Sequence, residues 1–369
     1  MVRDKYNRAG LKRILVGVVA LVLLGCTAQT SNTPSTPASL QAADLRVRLD
    51  LLFGENALII AKESLAAIDH SSDQFASYAA LLTANATDLT AQMRLAFGNA
   101  EADGFAARWT AQNANFVDYA IGVVTHDQDK ANAAKARLAS DSSPKLADFL
   151  TRLLHIPAGS LNERFKYWVE AIEGTINRGF VGDYLFMYGD LHNAYVWEAG
   201  LGDVLARPIA RAFPDKFPGD VSSSAVTVRA QTNVVLQEHA YFVTMATDAT
   251  INGRTAERAQ EQQSLSDNAR WIASTLNSKP VADLWAAEAS AAENYAVRYD
   301  IASRQALTDK FVADLSSIKR VPANVVGEQA KALVKVIDDQ RAKAFKSVAV
   351  DDRAAATAMQ PLADALAEG

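Results

Sequence analysis

Apolar residues recur every three or four positions along most of the chain from Asp44 onward, which is the period of an amphipathic α-helix. In the first such stretch the residues Leu45, Leu49, Leu52 and Ile59 share one face. Alternating or β-branched runs typical of strands are scarce, and alanine is the main apolar residue. The pattern therefore predicts an all-α protein. The helices predicted up to the first strong break cover residues 44–70, 72–97, 101–125, 127–142, 144–155, 160–178 and 181–212.

Three polar residues stand where helices are expected to begin. Ser71 is followed three residues later by Gln74, and Ser160 is followed in the same way by Glu163. This spacing is that of a capping box, in which the two side chains bond each other's backbone N–H. Asp127 is predicted to cap the helix that follows it.

The strongest break in the helical pattern lies at residues 213–220, a segment that contains two prolines and a glycine. We expect a domain boundary here, with one helical domain over residues 44–215 and a second over 221–369. Helices are predicted in the second domain at 222–250, 255–276, 281–302, 305–318, 323–346 and 351–367.

The same order of features returns after this break, which predicts two six-helix bundle domains related by internal duplication. Trp109 and Tyr119 are ten residues apart, as are Trp285 and Tyr295. Two further alignments run without a gap: residues 52–57 onto 235–240, and residues 181–206 onto 342–367.

The N-terminal residues have the pattern of a lipoprotein signal peptide. Five basic residues precede an apolar run from Ile14 to Leu24, and Gly25 stands directly before Cys26, the only cysteine. An apolar run this short is typical of a cleaved signal rather than of a membrane-spanning helix. We expect residues 1–25 to be removed and Cys26 to carry a lipid. Residues 26–43 are then a flexible tether, and the protein is anchored to the membrane on its extracytoplasmic face.

Charge and cysteine content exclude several classes of protein. The chain has 37 basic and 42 acidic residues, and the signal peptide holds five and one of them, which leaves a mature net charge of about −9. Nucleic-acid binding needs clustered Lys and Arg, so we expect no nucleic-acid partner. A single cysteine cannot form an intrachain disulfide, so stability must come from apolar burial.

A set of short motifs occurs in the predicted helices: Leu82-x-x-Asn85-x-x-Asp88, Phe116-Val117-Asp118-Tyr119, Gly122-Val123, Asp127-Gln128-Asp129-Lys130, Glu238-His239 and Asp364. In these motifs the chain resembles an uncharacterised family of secreted or lipid-anchored bacterial all-helical proteins, built from repeated Glu-His and Trp-x9-Tyr helical units. The resemblance covers nearly all of the mature chain and implies no known activity. This chain departs from the family pattern at Asn56, Gln112 and Glu288, where the family has histidine, so the resemblance does not extend to a histidine metal site.

No catalytic signature emerges from the five histidines or from the rest of the sequence. His70, His126 and His155 fall at predicted helix ends, where a cap or dipole contact is the expected role. The Glu-x-x-His pairs of di-metal bundles, metalloprotease motifs and phosphate-binding loops do not occur. We therefore expect neither an enzyme nor a cofactor. A dense aromatic run is consistent with either a thick core or a ligand pocket: Trp168, Tyr184, Phe186, Tyr188, Tyr195 and Trp197.

Two polar residues of the second domain fall inside apolar helix faces. His239 lies between Val235 and Phe242 at helical spacing, and Glu288 lies between Trp285 and Ala292. Both are expected to be buried, and a hydrogen bond between them is the simplest way to offset that cost. The neutral residues Asn56 and Gln112 hold the corresponding positions of the first domain and are expected to form the same contact.

Two functions remain open at this point. The first is a lipid-anchored helical protein with a non-catalytic binding or structural role, whose partner is a protein, a cell-wall component or a small molecule. The alternative is a metal- or cofactor-binding bundle, for which His239, Glu288 and Glu238 are the candidate ligands.

Overall fold

Each helical run predicted between residues 41 and 368 forms a helix in the computed structural model, which describes residues 41–318 and 321–368. These described residues contain no strand, so the predicted all-α class is confirmed for this part of the chain. The α-helices are α1 (Ala42–Ile68), α2 (Ser72–Phe97), α3 (Asn99–Val124), α4 (Gln128–Arg137), α5 (Ser143–Leu153), α6 (Asn162–Val181), α7 (Tyr184–Ala212), α8 (Ser224–Ile251), α9 (Thr255–Thr275), α10 (Lys279–Arg298), α11 (Ile301–Gln305), α12 (Phe311–Ile318), α13 (Ala323–Ala342) and α14 (Phe345–Glu368).

The predicted signal peptide, Cys26 and the tether as far as residue 40 lie outside the described residues. The end of the predicted tether is helical, because α1 begins at Ala42. Both Ala42 and Leu45 are fully buried, so the first turn of α1 already packs into the core.

The N-cap predicted at Asp127 is present, whereas neither of the two predicted capping boxes forms. The Asp127 carboxylate accepts a hydrogen bond from Lys130 N at 3.1 Å. Ser71 does precede α2, but its side chain makes no capping bond; its backbone N–H instead closes the end of α1 on Ala66 O. Ser160 lies in a turn closed on Pro157 O, so α6 begins two residues later, at Asn162. The capping-box prediction was wrong at both serines.

Residues with left-handed backbone end many of the helices. His70, His126 and His155 have φ of 55°, 56° and 53°, which confirms their place at helix ends. Tyr299 (φ 51°) and Lys343 (φ 54°) end α10 and α13 earlier than predicted, because a residue in this region cannot continue a right-handed helix. The boundary between the last two helices, predicted between residues 346 and 351, therefore lies at Lys343.

Two of the helices continue into the next through a short π-helical segment. Residues Leu138–Ser142 join α4 to α5, and residues Ala306–Lys310 join α11 to α12. The break predicted before Pro144 is therefore a π segment within one continuous helical stretch, and Pro144 lies in the first turn of α5 directly after it.

The buried core is organised around α1 and α8, which contact each other and pack along α7 and α14 respectively. The described residues form one compact unit. The boundary predicted at residues 213–220 coincides with the segment between α7 and α8, but packing crosses it. Tyr188 and Tyr195 of α7 belong to the hydrophobic cluster of the second half, and Val348 of α14 belongs to that of the first.

Candidate functional site

The two polar residues predicted to meet in the second half do so in the core. His239 on α8 and Glu288 on α10 are fully buried, and His239 Nε2 lies 3.1 Å from Glu288 Oε2. The other ring nitrogen, Nδ1, lies 2.9 Å from Asn268 Oδ1 on α9. Gln329 on α13 donates to the second oxygen of Glu288 at 3.3 Å. The predicted contact between the first and third helices of this half is confirmed.

The partners of Asn268 fix the proton on His239. The Asn268 amide nitrogen donates to Val235 O at 3.1 Å and to Glu238 Oε2 at 3.0 Å, so its oxygen is left as an acceptor. His239 Nδ1 must then carry a hydrogen. Nε2 shares a further proton with Glu288, either as an imidazolium–carboxylate pair or as a neutral pair. Neither ring nitrogen offers a free lone pair in this arrangement.

Glu238 faces away from Glu288, toward the surface. Its Oε1 lies 2.7 Å from Nδ1 of His192 on α7, and the His192 ring stacks on Trp271 of α9 at 3.9 Å between ring centroids. The His192 side chain is 25 % exposed whereas that of Glu238 is 1 % exposed. A continuous chain of polar contacts therefore runs from half-exposed His192 to the buried Glu288.

The first half contains the corresponding chain. Asn85 on α2 donates to Leu52 O at 2.8 Å and to Glu55 Oε2 at 2.9 Å, as Asn268 does to Val235 and Glu238. Arg353 of α14 donates to both oxygens of Glu55, through Nε at 2.9 and 3.1 Å, and to Asp88 at 2.8 Å. Arg353 thus takes the place that His192 holds in the second half.

The expected pairing of Asn56 with Gln112 was wrong. Gln112 is fully buried but exchanges hydrogen bonds with Ser143 at 2.8 and 3.1 Å, and Asn56 reaches only Asn85, at 3.5 Å. The side chain of Asn is shorter than that of His, so it does not span the distance from α1 to α3 that His239 spans from α8 to α10. Ser143, the first residue of α5, is the partner of Gln112 instead.

A buried charged cluster next to this site was missed by the sequence analysis. Lys62 of α1 is 5 % exposed and donates to Asp352 of α14 at 2.5 Å and to Thr244 of α8 at 2.7 Å. Tyr78 donates to the same Asp352 oxygen. The sequence did contain a signal of its burial: Lys62 lies four residues after the apolar Leu58 and four before Ala66, on the same helix face.

Beside this cluster a shallow cleft opens toward solvent. On its wall Arg254 contacts three carboxylates, Asp69 at 3.2 Å, Asp248 at 2.6 Å and Glu257 at 2.6 Å. Burial raises the pKa of Glu257, and the nearby arginine opposes that shift. Charge-assisted hydrogen bonds to Asp248 and Glu257, together with the ion pair with Asp69, therefore hold this arginine in place.

The aromatic run of α6 and α7 divides between core and surface. Trp168, Tyr188 and Tyr195 are buried, whereas the side chains of Phe186 and Trp197 are 55 % and 36 % exposed. Tyr195 donates to Val234 O at 2.6 Å and so ties α7 to α8. Half of the run is thus core, and Trp168 and Trp197 line a small cavity between α6 and α7.

Comparisons of the chain with protein-family models, with curated proteins and with solved structures find no match. Within residues 41–318 and 321–368, no three His, Cys, Asp or Glu side chains are grouped in a way that would hold a metal ion. No helix in this same part of the chain combines the length and apolar character needed to cross a membrane.

Proposed function

We propose that the protein is a lipid-anchored helical protein of the extracytoplasmic membrane face with a non-catalytic binding or structural role. The anchor is Cys26, following the apolar run that ends at Leu24. The resemblance to lipid-anchored bacterial helical proteins supports the same location. The observation that supports the non-catalytic part is that the polar side chains linking His239, Glu288 and Glu238 use their hydrogen bonds on one another and on Asn268.

Glu238 and Glu55 each link a helix of one half of the chain to a helix of the other half. His192 on α7 holds Glu238 on α8, and Arg353 on α14 holds Glu55 on α1. The last helix of each half is therefore bound to the first helix of the other half. A buried carboxylate is costly unless it is paired, so each contact favours one arrangement of the two halves over the alternatives.

The same contacts support the proposal that the two halves are six-helix units derived by duplication. Arg46 pairs with Asp203 at 2.8 Å, and the corresponding Arg229 pairs with Asp364 at 2.8 Å. A π segment joins α4 to α5 in one half and α11 to α12 in the other, so each pair counts as one helical unit. Further equivalent pairs are Trp109 and Trp285, Tyr119 and Tyr295, Asn85 and Asn268, and Gly182 and Lys343.

The metal-binding alternative has less support from these residues. It needs His239, Glu288 and Glu238 to coordinate the same ion. Glu238 instead bonds to His192 and to Asn268, and Asn268 stands between it and His239. His239 would also have to lose the proton on Nδ1 or the bond from Nε2 before coordinating an ion.

Membrane fractionation of the Cys26→Ser variant tests the anchor. We expect the variant in the soluble fraction, because serine cannot accept the lipid. Thr27→Ser, the adjacent conservative change, should leave the protein with the membranes. A Cys26→Ser variant that stays fully membrane-bound contradicts the proposal.

A further inference from the structure

One face of α7 is exposed to solvent and carries no charged residue. Its positions recur at helical spacing, so they form a single row about 18 Å long. The outward face of α13, by contrast, carries Glu328, Lys331 and Lys335, as a solvated helix face usually does. The row on α7, which we call the uncharged face, consists of Leu185, Phe186, Gly189, Asn193, Val196 and Trp197.

Aromatic residues of the two neighbouring helices extend this face. On one side Tyr167 of α6 stacks on Trp197, with 5.3 Å between the ring centroids. On the other side Trp271 of α9 stacks on His192, which lies one turn before Val196 on α7. Trp197 and Trp271 are each 36 % exposed, whereas the other three tryptophans of the chain are buried. Both exposed tryptophans therefore lie on this side of the protein.

Three basic side chains of α6 lie over aromatic rings of the same surface. Tryptophan and tyrosine beside lysine and arginine are typical of surfaces that meet lipid headgroups, because the rings enter the interface while the cations reach the phosphates. The helix also exposes Glu163 and Glu170, so the rings rather than a net positive charge supply the attraction. The distances from cation to ring centroid are 5.2 Å for Arg164 and Trp197, 5.9 Å for Lys166 and Tyr167, and 4.8 Å for Arg178 and Phe186.

The predicted lipid anchor allows this face to reach a membrane. Helix α1 runs antiparallel to α7, and Arg46 near its start pairs with Asp203 of α7 at 2.8 Å. At about 1.5 Å per residue, Trp197 lies about 15 Å along the helix axis from the level of Ala42. The segment from Cys26 to Ala42 spans at most about 50 Å. The chain is thus long enough for the uncharged face to lie on the membrane that holds Cys26.

We propose that the uncharged face of α7 docks onto the surface of the phospholipid bilayer that holds the lipid of Cys26. Trp197 and Trp271 enter the headgroup region, and Arg164 and Lys166 pair with lipid phosphates. The proposal rests on the proposed function, because it needs the lipid anchor to hold the protein at the membrane. The anchor raises the local concentration of the face at the bilayer, so contacts too weak to bind a free protein suffice.

Quenching of tryptophan fluorescence by brominated lipid tests this proposal. The lipidated protein is reconstituted into phosphatidylcholine vesicles, with or without bromine near the headgroup end of the acyl chains. Trp109, Trp168 and Trp285 are buried, so the bromine reaches only Trp197 and Trp271. We expect brominated lipid to remove up to about two-fifths of the emission, which is the share of two tryptophans among five.

Two double variants make the test specific and leave every tryptophan in place. Phe186→Glu combined with Val196→Glu puts two carboxylates on the uncharged face. Because a carboxylate is costly to place against lipid, quenching should fall by about threefold or more. Val297→Glu combined with Ile301→Glu is the matched control, since it makes the same change at exposed apolar residues near the junction of α10 and α11. It should leave quenching unchanged.

Flotation of the same vesicles separates failure of the docking face from failure of the anchor. A protein that floats with the vesicles but gives the same emission in both lipids overturns the docking face and leaves the anchor intact. Equal quenching in the native protein and the Phe186→Glu, Val196→Glu variant does the same. If copies on the vesicles crosslink to each other and this variant removes the crosslink, the face belongs to a second copy instead. A protein that does not float contradicts the anchor, and the docking proposal fails with it.

Discussion

Replacing Glu63 by glutamine should change how the stability of the protein depends on pH. Glu63 lies on α1, is 2 % exposed, and has one carboxyl oxygen without a partner in the described residues. Burial raises its pKa from 4.5 to about 8. Its carboxyl therefore keeps its proton in the folded protein at pH 7 and loses it in the unfolded chain.

The sign and size of the effect follow from this difference. Below pH 4.5 both states hold the proton and Glu63 contributes no pH dependence. Between pH 4.5 and about 8 the folded state binds more protons, so the free energy of unfolding falls as pH rises, by about 1.4 kcal/mol per unit. The glutamine variant lacks this loss. Its stability relative to the native protein should therefore improve by about 2.5 kcal/mol between pH 5 and pH 7.

Urea denaturation of both proteins at pH 5, 6 and 7 measures this change. Comparing the two across pH cancels any constant cost of burying the glutamine amide, and it also cancels the other groups that titrate. Glu163→Gln, an exposed change on α6, is the control and should track the native protein. A stability difference between Glu63→Gln and the native protein that stays constant from pH 5 to pH 7 would refute the reasoning.

The remaining predictions concern the polar chains. His239→Ala should destabilise the protein by about 1–3 kcal/mol in thermal or urea unfolding, because Glu288 loses a buried partner; metal content should not change, and a variant as stable as the native protein would count against the contact. Arg353→Met should cost about 2–4 kcal/mol, since it leaves Glu55 buried with only neutral donors, whereas Arg207→Met, which removes an exposed helix-surface contact, should cost less than about 0.5 kcal/mol. Equal losses in the two arginine variants would argue against the contact between halves.

The positions of most helices and one buried contact could be predicted from the sequence alone. Helix phase places His239 and Glu288 on inward faces, and α8 and α10 lie close enough for the two side chains to meet. The same argument failed for Asn56 and Gln112. Helix phase predicts which residues are buried, but it does not predict whether a side chain is long enough to contact a residue on the neighbouring helix.

The contacts between halves could not be predicted in this way. Arg353 and Glu55 are 298 residues apart in sequence, and helical periodicity carries no information on which helices of different halves become neighbours. Lys62 shows the same limit. Its apolar spacing predicts burial, but its partner Asp352 is 290 residues away.

The melting temperature of the purified protein, measured before and after treatment with EDTA, tests whether the His239–Glu288 contacts and those around Glu55 are closed structural contacts or metal sites. A bound structural metal would contribute to folding stability, and its removal would lower the melting temperature. We predict a change of less than about 1 °C. A fall of about 5 °C or more, reversed by adding back a divalent metal, would contradict the account.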